Sequence, residues 1–305
     1  MHFTDQLVDR IHRFENPTCV GLDPRLSQIP SFIQKKVIKK WGKTAEAAAQ
    51  ALLIFNKGIV DAVADLVPAL KLQIAFYEAL GIEGLKVYLQ TIEYAHKKGL
   101  LVIGDVKRSD IGSTAAAYAE GHLGSVDVFG KKIPGFKADA MTVMPYFGTE
   151  GIVPFTTVAQ RDGKGLFVVV RSSNPSAEEL QGVPVGDQLF DELVAGLVEG
   201  WGREHLGKSG FSLVGAVVGA TYPEEARTLR QLMPHQLFLV PGYGAQGGNA
   251  KDVKPCFYAN GTGAIVNSSR DIIFAYEKAG QPGEAYAEAA REAAIKMKKE
   301  LAKMF

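Results

Sequence analysis

Cysteine is scarce in this chain. Cys19 and Cys256 are its only two, too few for a disulfide framework and in neither a C-x-x-C nor a zinc-ligand spacing, which points to a reducing, cytosolic setting. No apolar run approaches the ~20 residues needed to span a bilayer. The amino-terminal MHFTDQLVDRIHRFENPT mixes charges with apolar residues at helical spacing, unlike a signal or transit peptide, so a soluble protein is expected. A surplus of either charge is missing too: 34 basic against 33 acidic residues leave a formal +1, with no global footprint for nucleic acid or an anionic membrane. A Walker A pattern is absent, as is a Rossmann fingerprint after the first strand, which argues against NTP or dinucleotide use. His2, His12, His96, His122, His205 and His235 are scattered, none at ligand spacing, and no metal is expected. Small-molecule chemistry is what remains.

What the chain does have is alternation. Short apolar runs at 18–23, 67–73, 100–108, 138–145, 165–173, 211–220, 236–242 and 264–269 read as strands, each followed by a helical or helix-like stretch. Thr44 caps a predicted helix running to Asp65, and Gly99 ends another that begins at Gly84. Further helices are predicted over 112–122, 149–160, 186–201 and 223–233, with one from Asp271. Residues 27–43 read as an irregular, lysine-containing connection; 124–137 and 181–210 are long connections. Continuous apolar strands alternating with helices imply a parallel sheet buried on both faces. Eight such units favour closure into a (β/α)8 TIM barrel, an α/β fold spanning 1–305 as one domain with extra N- and C-terminal helices, although an open doubly wound sheet shows the same local pattern.

The most informative stretch is LLVIGDVKRSDIGST at 100–114. Asp105 and Lys107 are two apart on a strand and so share a face, and Asp110 falls where strand gives way to helix. Asp23 and Lys71 stand at the carboxyl ends of strands one and two, the end at which such barrels do chemistry. Singly, each has a local explanation: Asp23 in a turn before Pro24, Asp110 as a helix cap, Lys71 reaching along apolar surface to solvent. Together they are harder to dismiss, because Lys and Asp rarely sit in apolar strands unless paired or used. An ammonium flanked by carboxylates is favoured in its charged form, which suits Lys107 to proton donation rather than Schiff-base formation. Such an array stabilises a developing carbanion and then protonates it.

A second signal is VPGYGAQGG at 240–248 with NSSR at 267–270. Glycine-rich backbone after strand seven presents N–H groups to an anion, and Arg270 just past strand eight can grip a phosphate with two bonds. In barrels this is the recurrent phosphate location.

These residues resemble the orotidine 5'-monophosphate decarboxylase family in its longer bacterial-type branch. The likeness rests on VGLDPRL around Asp23, LKLQ around Lys71, GDVKRSDIGST, MPYFG, SSNP, PGYGAQGG and NSSR, in order from Cys19 to Tyr276. D-x-K-x-x-D alone is shared with sugar-phosphate decarboxylases and synthases of the same superfamily, some of them metal-assisted; the combination is more specific. The resemblance implies cofactor-free decarboxylation of orotidine 5'-phosphate to UMP, with Lys107 as proton donor to C6 and Asp105, Lys71 and Asp110 completing the array. It also implies that Asp23 and Lys71 bind ribose hydroxyls and that Arg270 holds the phosphate. Gln246 would bridge base and phosphate, and Pro241 and Gly248 would be further substrate contacts. Of Ser172, Ser173 and Asn174, Ser173 matches best as the reader of the pyrimidine edge. A homodimer is implied, in which Asp110 and Thr114 reach the neighbouring subunit's site.

Overall fold

The computed structural model describes residues 2–244 and 246–305; Ala245, within the glycine-rich stretch, lies outside the described residues. Eight parallel strands close into a barrel: β1 Thr18–Leu22, β2 Ala69–Gln73, β3 Leu101–Arg108, β4 Ala140–Val143, β5 Gly165–Arg171, β6 Val214–Val218, β7 Phe238–Val240 and β8 Ala264–Ser268. Each pairs with its sequence neighbours, and β1 pairs with β8, Thr18 opposite Val266, which completes the ring. The longer helices are α1 Phe3–Phe14, α2 Ser31–Trp41, α3 Ala45–Val63, α4 Gly81–Lys97, α5 Gly112–His122, α6 Gly148–Asp162, α7 Phe190–Gly202, α8 Pro223–Leu232 and α9 Tyr286–Ala302.

Period-two geometry explains why the strands are apolar at every position. Alternate residues such as Cys19, Ala69, Ile103, Ala140, Phe167, Val169, Val217, Leu239 and Ile265 fill the lumen. Their neighbours Val20, Leu70, Val102, Met141, Val168, Ala216, Phe238 and Val266 face the surrounding helices in a larger cluster. Helix α1 closes the floor of the barrel with Phe3, Leu7, Val8 and Ile11, and Phe3 meets Phe167 edge-on, ring centroids 6.1 Å apart.

The predicted strands are present, with ends trimmed by one to three residues; among the helices α4 begins at Gly81 rather than Gly84, α6 extends to Gly148 and Asp162, and the helix expected from Asp271 is two short turns, Arg270–Ile273 and Ala275–Lys278. Thr44 caps α3 as expected, its hydroxyl accepting from the Ala47 N–H at 3.1 Å. The connections differ more. Residues 27–43 are not irregular, because α2 occupies most of them: Ile33 and Val37, four apart, are buried while Lys35, Lys36, Lys39 and Lys40 face outward. The lysines obscure a two-residue apolar stripe, which is all that a helix lying on α3 needs. Within 124–137 an antiparallel hairpin pairs Ser125–Val128 with Lys131–Pro134. A second, Pro184–Val185 with Gln188–Leu189, displaces the start of α7 from Gly186 to Phe190. Among the described residues no helix is long and apolar enough to cross a membrane.

Candidate active site

Asp105 organises the mouth of the barrel. Strand β2 carries Lys71 and, two residues on along the same face, Gln73, whose Cα pairs with that of Asp105 across to β3. Lys71 Nζ lies 2.8 Å from Asp105 Oδ2 and 3.6 Å from Asp23 Oδ1 at the end of β1. Gln73 Nε2 donates to Asp105 Oδ2 at 3.0 Å, Thr142 Oγ1 to Oδ1 at 3.0 Å, and the Lys107 ammonium to Oδ1. Each carboxylate oxygen thus accepts from one ammonium and one neutral donor.

Burial alone pushes the Asp105 carboxyl up, but the ammonium groups of Lys71 and Lys107 outweigh it and hold the group well below the usual carboxylate range. Burial pushes Lys71 down, and the carboxylates of Asp105 and Asp23 more than reverse this, so its ammonium persists above the ordinary lysine range. The same environment raises the neighbouring Cys19 thiol to about 12, chiefly through burial, and leaves it inert.

Lys107 reaches the mouth by an unusual route. Its φ is +44°, in the left-handed region, and the β3–β4 register slips between Gly104 and Arg108. Thr142 Oγ1 holds this bulge by accepting from the backbone N–H groups of Val106 and Lys107, both at 2.9 Å. One hydroxyl therefore fixes both the carboxylate and the backbone of the lysine paired with it. The Lys107 side chain is 46% exposed, against 5% for Lys71, so Lys107 is the ammonium presented to an incoming ligand.

Across the mouth, a loop after β7 turns through Gly242, Gly244 and Gly247, with φ of +98°, +77° and +99°. The Gly244 N–H donates to the Gly248 carbonyl at 2.8 Å and the Gly248 N–H to the Gly242 carbonyl at 3.1 Å. Arg270 begins a short helix just past β8 and lines the cavity with Pro241 and Gln246. The Ser173 hydroxyl, at the end of β5, is hydrogen-bonded to Gln246 Oε1, joining the β5 and β7 ends.

These groups enclose a cavity of about 280 Å³, near the lower end for a small-molecule site. The paired charges stand on one side, Gln246 and Arg270 on the other, and Val169, Val217 and Leu239 form an apolar floor. Of the residues singled out in the sequence, Asp23, Lys71, Asp105, Lys107, Ser173, Pro241, Gln246 and Arg270 converge here, as do Ser172 and Asn174. Three do not. Gly248 lies on the outer side of its loop, and Thr114 is exposed in the first turn of α5. Asp110, half-buried, accepts from the Ile111 N–H at 2.8 Å and is outside the lining of this chain's own cavity. Sequence reasoning missed Gln73, Thr142 and Asn267, all of which line it. A lone hydroxyl in the apolar run around Met141 and Val143, and an amide two residues beyond Lys71, were the available signals.

A (β/α)8 barrel whose strand ends bring alternating carboxylates and ammonium groups opposite a glycine turn and an arginine defines a class: enzymes that act on phosphorylated small molecules at the barrel mouth. Comparison with known proteins narrows this. The sequence profile of the Orotidine 5'-phosphate decarboxylase / HUMPS family matches residues 17–289. The chain is 46% identical over 278 residues to the orotidine 5'-phosphate decarboxylase of Rhodopirellula baltica, covering 91% of this chain and 90% of that one. It is 40% identical over 296 residues to that of Clostridium perfringens strain SM101, with 96% of each covered. The structure of Leishmania donovani OMP decarboxylase superposes with a TM-score of 0.71 at 30% identity, over 98% of this chain and 99% of that one. The chain belongs to the orotidine 5'-phosphate decarboxylase family, and as a member it is a decarboxylase.

Proposed function

We propose that the protein converts orotidine 5'-phosphate to UMP and CO2 without a cofactor, as a step of pyrimidine nucleotide synthesis, with Lys107 protonating C6. The single observation that carries this reading is the shared carboxylate of Asp105, which sets two ammonium groups side by side at the mouth, the more exposed one facing the cavity. In the proposed step the C6–carboxylate bond breaks, its electron pair stays on C6, and a proton moves from Lys107 Nζ to that carbon. No adjacent carbonyl absorbs the charge, so electrostatics must. An ammonium ~4 Å away contributes on the order of 4 kcal/mol at an effective dielectric of ~20, whereas the most demanding enzymatic accelerations need ~20 kcal/mol or more. The remainder is assigned to the preorganised array and to binding energy at the phosphate end, expressed in the transition state.

In this reading Asp23 and Lys71 hold the ribose hydroxyls, Ser173 reads the pyrimidine edge, Gln246 spans base and phosphate, and Arg270, with the Pro241–Gly248 turn, grips the phosphate. Asp110 and Thr114 are assigned to a second copy's site across a homodimer. Apolar side chains beside them support this: Ile111 and Phe147 are exposed, Tyr146 is 76% exposed, and the Asp110 carbonyl lies against α6 at Gly151. The test is an absorbance assay with orotidine 5'-phosphate. Turnover that persists in the presence of a chelator is expected; loss of turnover on chelation, or turnover of a keto-sugar phosphate instead, would replace this reading with a metal-assisted one.

A further inference from the structure

Arg171, the last residue of β5, takes no part in the chemistry above, yet its side chain is among the most deeply buried in the protein. Alternation from Phe167 and Val169 would aim it into the lumen. A register slip against β6, where Val217 pairs with Val169 but Val218 with Arg171, accompanies its turn toward the helices instead. There the guanidinium pairs with Glu178 in the 3-10 turn Pro175–Glu179, lies 3.5 Å from Asp191 in the first turn of α7, and is 3.7 Å from Glu225 in the first turn of α8. Its central carbon sits 4.1 Å from the centre of the Tyr222 ring.

Two of the groups that Arg171 meets lead to the turn at 172–174, Tyr222 by one hydrogen bond and Asp191 by two. The Tyr222 hydroxyl donates to the Asn174 carbonyl at 3.2 Å, and its neighbour Thr221 donates to the Ser173 carbonyl at 3.2 Å. The Asp191 N–H donates to the Gln181 carbonyl at 3.0 Å, and Gln181 Oε1 accepts from the Ser172 N–H at 2.8 Å. Residues 172–174 are thus held by Tyr222 and, through Gln181, by Asp191, both of which the one cation meets.

We propose that Arg171 is a positioning residue for the nucleobase: by tying the 174–191 loop and Tyr222 to the barrel, it sets the place from which Ser173 meets the pyrimidine. This rests on the reading that the base lies against Ser173. A planar, always-charged fork reaches carboxylates in three directions while stacking on a ring, which a lysine cannot reproduce. The effect falls first on the base half of the ligand: Arg270 stands past β8, and the glycine turn is reached from this cluster through Ser173, which is hydrogen-bonded to Gln246.

The experiment compares UMP with ribose 5-phosphate, which lacks the base, as ligands of wild type, Arg171→Lys and Glu178→Gln. Glu178 is more than half exposed, so its variant folds even if replacement of the arginine does not permit folding. Both variants should weaken UMP about tenfold, leave ribose 5-phosphate within about twofold, and raise KM for orotidine 5'-phosphate more than they lower kcat. Equal losses for the two ligands, or no loss, would overturn the assignment. Wild type that binds UMP no better than ribose 5-phosphate would instead remove the reading of the base site beneath it.

Discussion

Asp105 accepts four hydrogen bonds, two of them from ammonium groups, and that count determines how substitutions around it behave. Lys107→Ala should abolish measurable turnover while leaving UMP affinity within a few-fold, since Arg270 and the β7 loop are untouched; near-normal turnover in a steady-state assay would take the lysine out of the mechanism. The pair also sets a pH window. Asp105 is held below its unfolded value, so its contribution is complete above about pH 4 and is lost as pH falls toward the folded value. Lys71 is held above its own, so its contribution is complete below about pH 10 and is lost as pH rises through the folded value. Urea unfolding should therefore show wild type more stable than Asp105→Asn by about 3 kcal/mol near neutrality, with the gap narrowing as pH falls below about 4. At this scale charges were legible and their supports were not. Asp23, Lys71, Asp105 and Lys107 stand out because ions in apolar strands need a reason. Thr142 and Gln73 are ordinary strand residues until the β3 bulge shows what they hold, and Arg171 reads as the end of one more strand until its slipped register is seen.

Among the elements, the strands were the most legible, because a parallel strand buried on both faces is a continuous apolar run. Connections were the least. Helix α2 shows a stripe of only two residues, and the hairpins at 125–134 and 184–189 are too short and too polar for periodicity to register. Helix α1 was visible as an amphipathic segment, but its place under the barrel was not. A Cβ added at Gly165, the first residue of β5, would lie 2.2 Å from the Phe3 ring, so the helix seats against bare backbone. Phe3→Ala should lower stability by about 3 kcal/mol in urea unfolding. Because this contact is at the opposite end of the lumen from Asp105, kcat and KM on orotidine 5'-phosphate should stay within twofold of wild type. A large kinetic effect would mean that the floor and the mouth are mechanically linked.

For the whole molecule, the assignment of Asp110 to a neighbouring site has a direct consequence. Lys107→Ala and Asp110→Asn chains, each inactive alone, should regain activity when mixed and allowed to exchange, because one of the two sites in a mixed dimer then receives both native residues. About a quarter of wild-type activity is expected from an equal mixture with random pairing. No rescue despite exchange proven by mass spectrometry would place Asp110 in its own chain's site. The barrel was legible from the count of alternating units, which favoured closure even though an open sheet has the same local signature; the pairing of Thr18 with Val266 bears it out. That pairing also orders events during synthesis. Strand β1 emerges from the ribosome first among the strands but gains its second neighbour only when β8 is free, so β1 and the growing end of the sheet display raw edges for almost the entire translation of the polypeptide. The last strand is the keystone: it seals the sheet against self-association and, with Arg270 directly behind it, delivers the anion-gripping side chain in the same act.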